Sequence, residues 1–270
     1  MTLIQAILLG LLQGATEFLP VSSSGHLVLV PWLLGWPAPS LTFDVLVHWG
    51  TAVAVIGYFW RDWLALVQGG WQAIRERSLE NPHARLALLL VVGTVPGALL
   101  GWLLEDFFAS WFSRPTAAAG FLLVTAGLLT LAEGWSRQQR VIEQLAWFDA
   151  LLVGLAQAGA ILPGISRSGA TIAAAMGRGL ERKSAARFSF LLATPIILGA
   201  GFLQLLDLGQ AGGLAGQLPF IAAGFITALL SGLGCIHFLL RYLQRRSLYP
   251  FALYCALLGI TGLVLSFFIQ

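Results

Sequence analysis

Charge is what this sequence has least of. Asp, Glu, Lys and Arg make up 10% of its 270 residues, where a soluble domain carries about a quarter. So few charges cannot cover a surface that faces water, which excludes soluble enzymes and soluble binding modules as classes. Lysine is all but missing: Lys183 stands alone, and the rest of the positive charge is arginine. The net charge of +3 is dispersed through the connections between apolar runs. That dispersal excludes a nucleic-acid partner and points to membrane topology instead. Cysteine is also rare. Cys235 and Cys255 lie in separate apolar stretches with no second pair near either, which leaves no disulfide framework or metal site and gives both a packing role. The opening dozen residues lack a basic flank and a small-residue cleavage site, so they read as part of the folded protein rather than as a removable signal.

What is abundant is apolar. Hydrophobic residues make up 58% of the chain and its mean hydropathy is +0.83, the composition of an all-α integral membrane protein. Six stretches are long enough to cross a bilayer, which takes about 20 residues: 42–60, 86–104, 115–132, 188–206, 217–240 and 249–269. Two further apolar regions are interrupted. Residues 1–19 end at Pro20 and 27–34 follow a polar break, while 149–161 and 169–177 flank a second break around Pro163-Gly164. Each pair reads as two half-helices of a re-entrant hairpin. The breaks are also copies of one another: at an offset of 144 residues Gly10, Leu11, Gln13, Ser22, Ser24 and Gly25 meet the same residue type again.

Arginine in the connections sets an orientation. The positive-inside rule assigns four of them to the cytoplasm: 61–85 (Arg61, Arg75, Arg77, Arg85), 133–148 (Arg137, Arg140), 178–187 (Arg178, Arg182, Lys183, Arg187) and 241–248 (Arg241, Arg245, Arg246). It assigns 105–114, with Glu105 and Asp106, and 207–216, with Asp207, to the outside. Threaded through these, the first hairpin enters from outside, the second from the cytoplasm, and both termini lie outside. The expectation is a single membrane domain over 1–270 built from inverted-topology repeats, approximately 1–134 and 146–270. Six transmembrane helices and two re-entrant helical hairpins share it equally between the halves. In folds of this kind the broken elements meet near the midplane, where freed backbone groups face a cavity rather than lipid.

Ionisable side chains inside the apolar segments are Glu17, His26, Asp44, His48, Arg167 and His237. Each costs about 2.5–3.5 kcal/mol at a helix centre, so each needs a reason to be there. Glu17 and His26 belong to the first break and Arg167 to the second. If the breaks meet, a carboxylate, an imidazole, a guanidinium and a cluster of hydroxyls converge. That set suits a phosphate ester or anhydride. Arginine's planar fork matches phosphate oxygens, and Gly-Ser turns at half-helix N-termini present backbone N–H groups. A serine beside a histidine can act as nucleophile with its base, and Glu17 can bind a divalent cation or orient the histidine. Plainer readings stay open. Glu17 and Arg167 could be a structural ion pair, the serines could serve close helix packing, and Asp44 and His48 could be interfacial. His83 and His237 read as structural.

The two breaks carry long motifs, Gln13-x-x-x-Glu17-Phe-Leu-Pro-Val-Ser-Ser-Ser-Gly-His26 and Pro163-Gly-Ile-Ser-Arg167-Ser-Gly-Ala-Thr171. With Thr42-Phe43-Asp44, His48-x-Gly50 and Phe188-Ser189-Phe190-Leu191-Leu192-Ala193-x-Pro195, they make the chain resemble the undecaprenyl pyrophosphate phosphatase family of the bacitracin-resistance type. The resemblance covers the whole chain. It implies a multi-pass protein of the bacterial inner membrane that converts a C55 polyprenyl diphosphate to the monophosphate with a divalent cation, Mg²⁺ or Ca²⁺. That reaction recycles the lipid carrier for cell-wall synthesis and removes the target of bacitracin. The implied active site is Glu17, Ser23, His26 and Arg167. Around the substrate stand Gln13, Ser22, Ser24, Gly25, Ser166, Ser168, Gly169 and Thr171, and Glu17 is the implied metal ligand. Many members have Glu at both ends of the acidic motif, whereas here the first is Gln13. Glu17, with diphosphate oxygens and water, is then left to hold the cation.

The expected course is attack of Ser23 on the terminal phosphorus with His26 as its base, while Arg167 and the Ser-Gly turns hold the diphosphate. The isoprenoid tail stays in the lipid bilayer. Water then releases phosphate, or attacks directly without a phosphoserine. The site is expected to open outward, and a homodimer is compatible with it. A type-2 phosphatidic acid phosphatase shares Ser-Gly-His and Ser-Arg but needs a nucleophilic histidine shortly after that arginine. No histidine occurs between Arg167 and His237, which excludes it. A secondary transporter or lipid flippase stays open, because inverted repeats with broken helices are common in transporters.

Overall fold

A computed structural model describes residues 1–211 and 217–268. Several helices start where serine, threonine or proline stands. Thr2 caps α1 (Leu3–Phe18), Ser22 caps α2 (Ser23–Leu34) and Ser40 caps α3 (Leu41–Tyr58). In each case a side-chain oxygen accepts a backbone N–H that the first helical turn leaves free. Proline opens α5 (Pro82–Leu103) and α7 (Pro115–Trp135), where its missing N–H is not needed. Between these lie α4 (Trp60–Glu76) and α6 (Glu105–Phe112). The remaining helices are α8 (Trp147–Gly159), α9 (Arg167–Gly177), α10 (Arg182–Ala211), α11 (Leu218–Tyr242) and α12 (Tyr249–Leu265). Among the described residues no β-strand occurs, only an isolated bridge from Arg140 to Leu180.

Both interrupted regions are pairs of short helices, α1 with α2 and α8 with α9. Five helices, α3, α5, α7, α10 and α11, are long and apolar enough to cross a membrane. The sixth expected span, 249–269, is helical over Tyr249–Leu265, 17 residues, about 25 Å at the α-helical rise and shorter than the other five. Residues 269–270 lie outside the described residues. Two connections expected as loops are partly helical. The stretch 61–85 holds most of α4, and 105–114 holds α6. Trp60, Leu64, Val67, Trp71 and Ile74 are exposed on α4 at the spacing of one helix face. The longest apolar run there, 63–67, is bounded by Asp62 and Gln68 and is too short to read as a span, which hid the helix. The outer connection expected at 207–216 is helical as far as Ala211, and 212–216 lies outside the described residues.

Glycine makes the closest helix crossings. A Cβ on Gly10 of α1 would lie 2.3 Å from Gly224 O of α11, and one on Gly14 would lie 2.3 Å from Ala228 O. A Cβ on Gly154 of α8 would lie 2.4 Å from Gly93 O of α5. Gly10 and Gly154 are partners in the 144-residue repeat. The same device therefore seats the first half-helix of each break against a longer helix, through the close backbone approach that small residues allow in lipid.

The four arginine-bearing connections are bonded together. Arg187 meets Asp62 at 2.5 Å, and Arg85 donates to Leu145 O at 2.9 Å. Asp149 accepts from Arg140 at 2.8 Å and from Arg178 at 2.6 Å. Glu133 pairs with Arg182 and accepts from Leu248 N at 2.9 Å. The connections that the charge pattern groups on one side thus meet at one end of the bundle.

Candidate active site

The last turn of α1 carries Glu17, which is buried and is the hub of the polar centre. Its Oε2 accepts from Ser23 Oγ at 2.6 Å and from Gln13 Nε2 at 3.0 Å, and its Oε1 accepts from Arg167. Nε2 of His48, on α3, stands 3.7 Å from Oε2. Ser23 and Arg167 are the first residues of α2 and α9, and they occupy the same repeat position. Two half-helix N-termini therefore aim different side chains at one carboxylate. A buried carboxylate persists only with partners of this kind.

The two breaks touch. Gly25 lies against Gly164, with its would-be Cβ 3.0 Å from Gly164 Cα, and Ser168 Oγ donates to Leu19 O at 3.2 Å. Gly164 has φ +100, and a Cβ there would come within 2.2 Å of Ala118 O, so only glycine fits. Thr125 of α7 braces the turn, donating to Gly164 O at 3.0 Å and accepting from Ser166 N at 2.9 Å.

The remaining hydroxyls shape the two N-termini. Ser22 Oγ accepts from Gly25 N at 3.2 Å, and Ser166 Oγ accepts from Gly169 N at 3.0 Å. Each is also near a second serine, Ser24 at 3.4 Å and Ser168 at 3.2 Å. Thr171 donates to Arg167 O at 2.8 Å and lies 2.6 Å from Ser189 Oγ of α10, which ties α9 to that helix.

His26 is not brought to Ser23. Its Nδ1 lies 2.7 Å from Ser22 O, and its Nε2 lies 2.7 Å from the Tyr254 hydroxyl of α12. In this arrangement the group positioned to take the Ser23 proton is Glu17. Both ring nitrogens are held, by the Ser22 carbonyl and the Tyr254 hydroxyl, which leaves neither for the Ser23 hydroxyl. His48, which the sequence left open between a site and an interface, belongs to the rim of the centre. His237 instead pairs with Tyr58 at 3.0 Å. Tyr254 escaped sequence reasoning altogether. It is one of many aromatic residues in apolar helices, and it reaches His26 across 228 residues of chain.

The oxygens here fit a hard cation bridged by substrate rather than caged by protein. Gln13 Oε1 is buried without a partner. A carboxylate offers about four lone-pair sites, of which Glu17 commits three to Arg167, Ser23 and Gln13. Among the described residues no three His, Cys, Asp or Glu side chains gather into a cage. Mg²⁺ is commonly held by one or two carboxylates together with substrate phosphates.

Interrupted apolar helices that converge on a buried carboxylate, guanidinium and hydroxyl define a class, the polytopic helical membrane protein with a polar centre inside the bundle. The family model of the bacitracin resistance protein BacA matches residues 6–261, and the chain belongs to that family. It is 46% identical over 262 residues to the undecaprenyl-diphosphatase of Desulforudis audaxviator, covering 97% of each chain. It is 44% identical over 267 residues to that of Pelobacter propionicus, covering 98% of this chain and 97% of the relative. The undecaprenyl-diphosphatase of Geobacter sulfurreducens is 44% identical over 268 residues, with 99% and 98% covered.

Proposed function

We propose that the chain is an undecaprenyl-diphosphatase, hydrolysing undecaprenyl diphosphate to undecaprenyl phosphate and inorganic phosphate. The observation that carries the reading is the Glu17 carboxylate bonded at once to Ser23 and to Arg167 at the N-termini of α2 and α9. Full-length similarity to proteins named for that reaction supports it. Consumption of the lipid diphosphate accounts for the bacitracin resistance in the family's name.

The terminal phosphoryl group sits between Arg167 and the two half-helix N-termini, whose free N–H groups and positive dipole ends favour an anion. Ser22, Ser24, Gly25, Ser166, Ser168, Gly169 and Thr171 hold those N-termini in shape. Glu17 takes the Ser23 proton as Oγ attacks the terminal phosphorus. The bond from phosphorus to the bridging oxygen breaks, and undecaprenyl phosphate leaves. Water then attacks the phosphoserine, Oγ departs with the proton held on Glu17, and inorganic phosphate is released. His26 is the base for that water, through Nε2. A divalent cation, Mg²⁺ or Ca²⁺, held by Glu17 and Gln13 with the substrate's own oxygens, would offset phosphate charge.

The architecture that goes with this reading has six transmembrane helices and two re-entrant hairpins, in inverted repeats over approximately 1–134 and 146–270. Matching N-caps at Ser22 and Ser166 support it, as do the matching crossings at Gly10 and Gly154. The protein resides in the bacterial inner membrane with both termini and the mouth of the site outside, as the arginine distribution favours. A transporter built on the same centre is less favoured, because it gives the Ser23–Glu17 bond no task.

Phosphate release from polyprenyl diphosphate by the purified protein, with and without chelator, tests the activity and the cation. Ser23→Ala and Glu17→Gln are expected to lower kcat on the order of 10³-fold or more. Near-normal release by Ser23→Ala would remove the serine as nucleophile. Folded protein that binds the lipid without hydrolysing it would end the enzyme reading.

A further inference from the structure

His26 is buried, yet both of its ring nitrogens have partners at 2.7 Å. The partner of Nδ1 is the Ser22 carbonyl, which can only accept, so Nδ1 carries the proton. The neutral ring then has its lone pair on Nε2, and the Tyr254 hydroxyl donates to it. The two ring planes are parallel within 1°, with centroids 5.6 Å apart. Ser22 has φ +71, a left-handed conformation that a non-glycine residue adopts only at a cost of about 1–3 kcal/mol. Its repeat partner Ser166 has φ −69, and Ala170 stands where His26 would be. The strained turn thus occurs only in the copy that has an imidazole to orient.

From this geometry we infer that Tyr254 is a positioning residue for His26: with the Ser22 carbonyl, it holds the resting ring in its Nδ1–H form, and it gives up the Nε2 lone pair when the water that loses its proton takes the hydroxyl's place. A phenol suits this place because its oxygen both donates and accepts. It donates to Nε2 while that nitrogen is bare and accepts from it once it is protonated, where an ammonium or a carboxylate would favour one state. The inference rests on the role given to His26 in the proposed function. Tyr254 itself is half exposed on the face of α12, so it orders the buried ring from the outside of the bundle.

The test uses the full-length protein in detergent, with polyprenyl diphosphate as substrate and ¹⁵N-labelled histidine. In Tyr254→Phe the His26 Nε2 resonance is expected to move to the position of an acceptor without a donor. A kcat lowered about tenfold, with KM changed by less than about twofold, should accompany that shift. Thermal stability should hold, and in a His26→Ala background Tyr254→Phe should add no further loss. An unmoved resonance with wild-type kcat in Tyr254→Phe would overturn the inference. So would equal losses from Tyr254→Phe with and without His26, or a fall in stability that accounts for the lost rate, since these mark a structural role. Wild-type activity in His26→Ala alone, with the Nε2 shift still present in Tyr254→Phe, would instead refute the catalytic role of His26 and leave only the hydrogen bond standing.

Discussion

Ser23 and Arg167 stand 144 residues apart as the first residues of α2 and α9, and one supplies a hydroxyl where the other supplies a permanent cation. Both residues and their 144-residue offset are legible in the sequence. That Glu17 lies between them is not, because the Arg167 bond joins residues 150 positions apart. A second carboxylate, Asp149, does structural work at the arginine-rich end of the bundle. Burial acts to raise its pKa, but hydrogen bonds from Arg140, Arg178 and the Ala146 N–H more than offset this and hold it below its ordinary value of 3.8. A carboxyl lowered in the folded state contributes stability above its unfolded value and loses it as pH falls through the folded one. The apparent Tm in detergent should therefore drop as pH falls below about 4, and Asp149→Asn should remove that part of the drop. At neutral pH the same variant should cost about 1–2 kcal/mol, the low end for hydrogen bonds to a charged group, because solvent screens the partly exposed arginines.

At the scale of elements, the broken helices and five of the spans follow from composition, and several of their starts follow from Ser, Thr and Pro. The amphipathic α4 did not, since its apolar residues recur by helix face and its longest run, 63–67, is far short of a membrane span. What no single element reveals is its neighbour. Gly154 and Gly120 both stand in apolar helices, but a Cβ on Gly154 would press on the α5 backbone, while one on Gly120 would meet nothing within 4 Å. Gly154→Ala should destabilise by about 1–3 kcal/mol through overpacking and lower phosphate release as α8 and α9 shift. Gly120→Ala should be neutral or stabilise by up to about 1 kcal/mol through helix propensity. Thermal unfolding of the two variants side by side checks the pair, and equal Tm values would contradict the close α5–α8 crossing.

For the whole molecule, the prediction concerns orientation. In a background without Cys235 and Cys255, a cysteine replacing Thr2 should react with an impermeant reagent from outside, and one replacing Arg245 only from the cytoplasm. The opposite pattern would invert the proposed topology. By itself the sequence determined the solvent the protein lives in, the presence of most helices, and which polar residues interrupt its apolar segments. Those properties depend on transfer energies and capping among residues a few positions apart. Only the tertiary structure decided which of those groups touch. It set Ser23 against Glu17 rather than His26, placed Arg167 on the same carboxylate, brought His48 to the rim and laid Tyr254 on the imidazole. Such contacts depend on how closely helices cross at glycine seams like those of Gly10 and Gly154, a distance that no local pattern encodes.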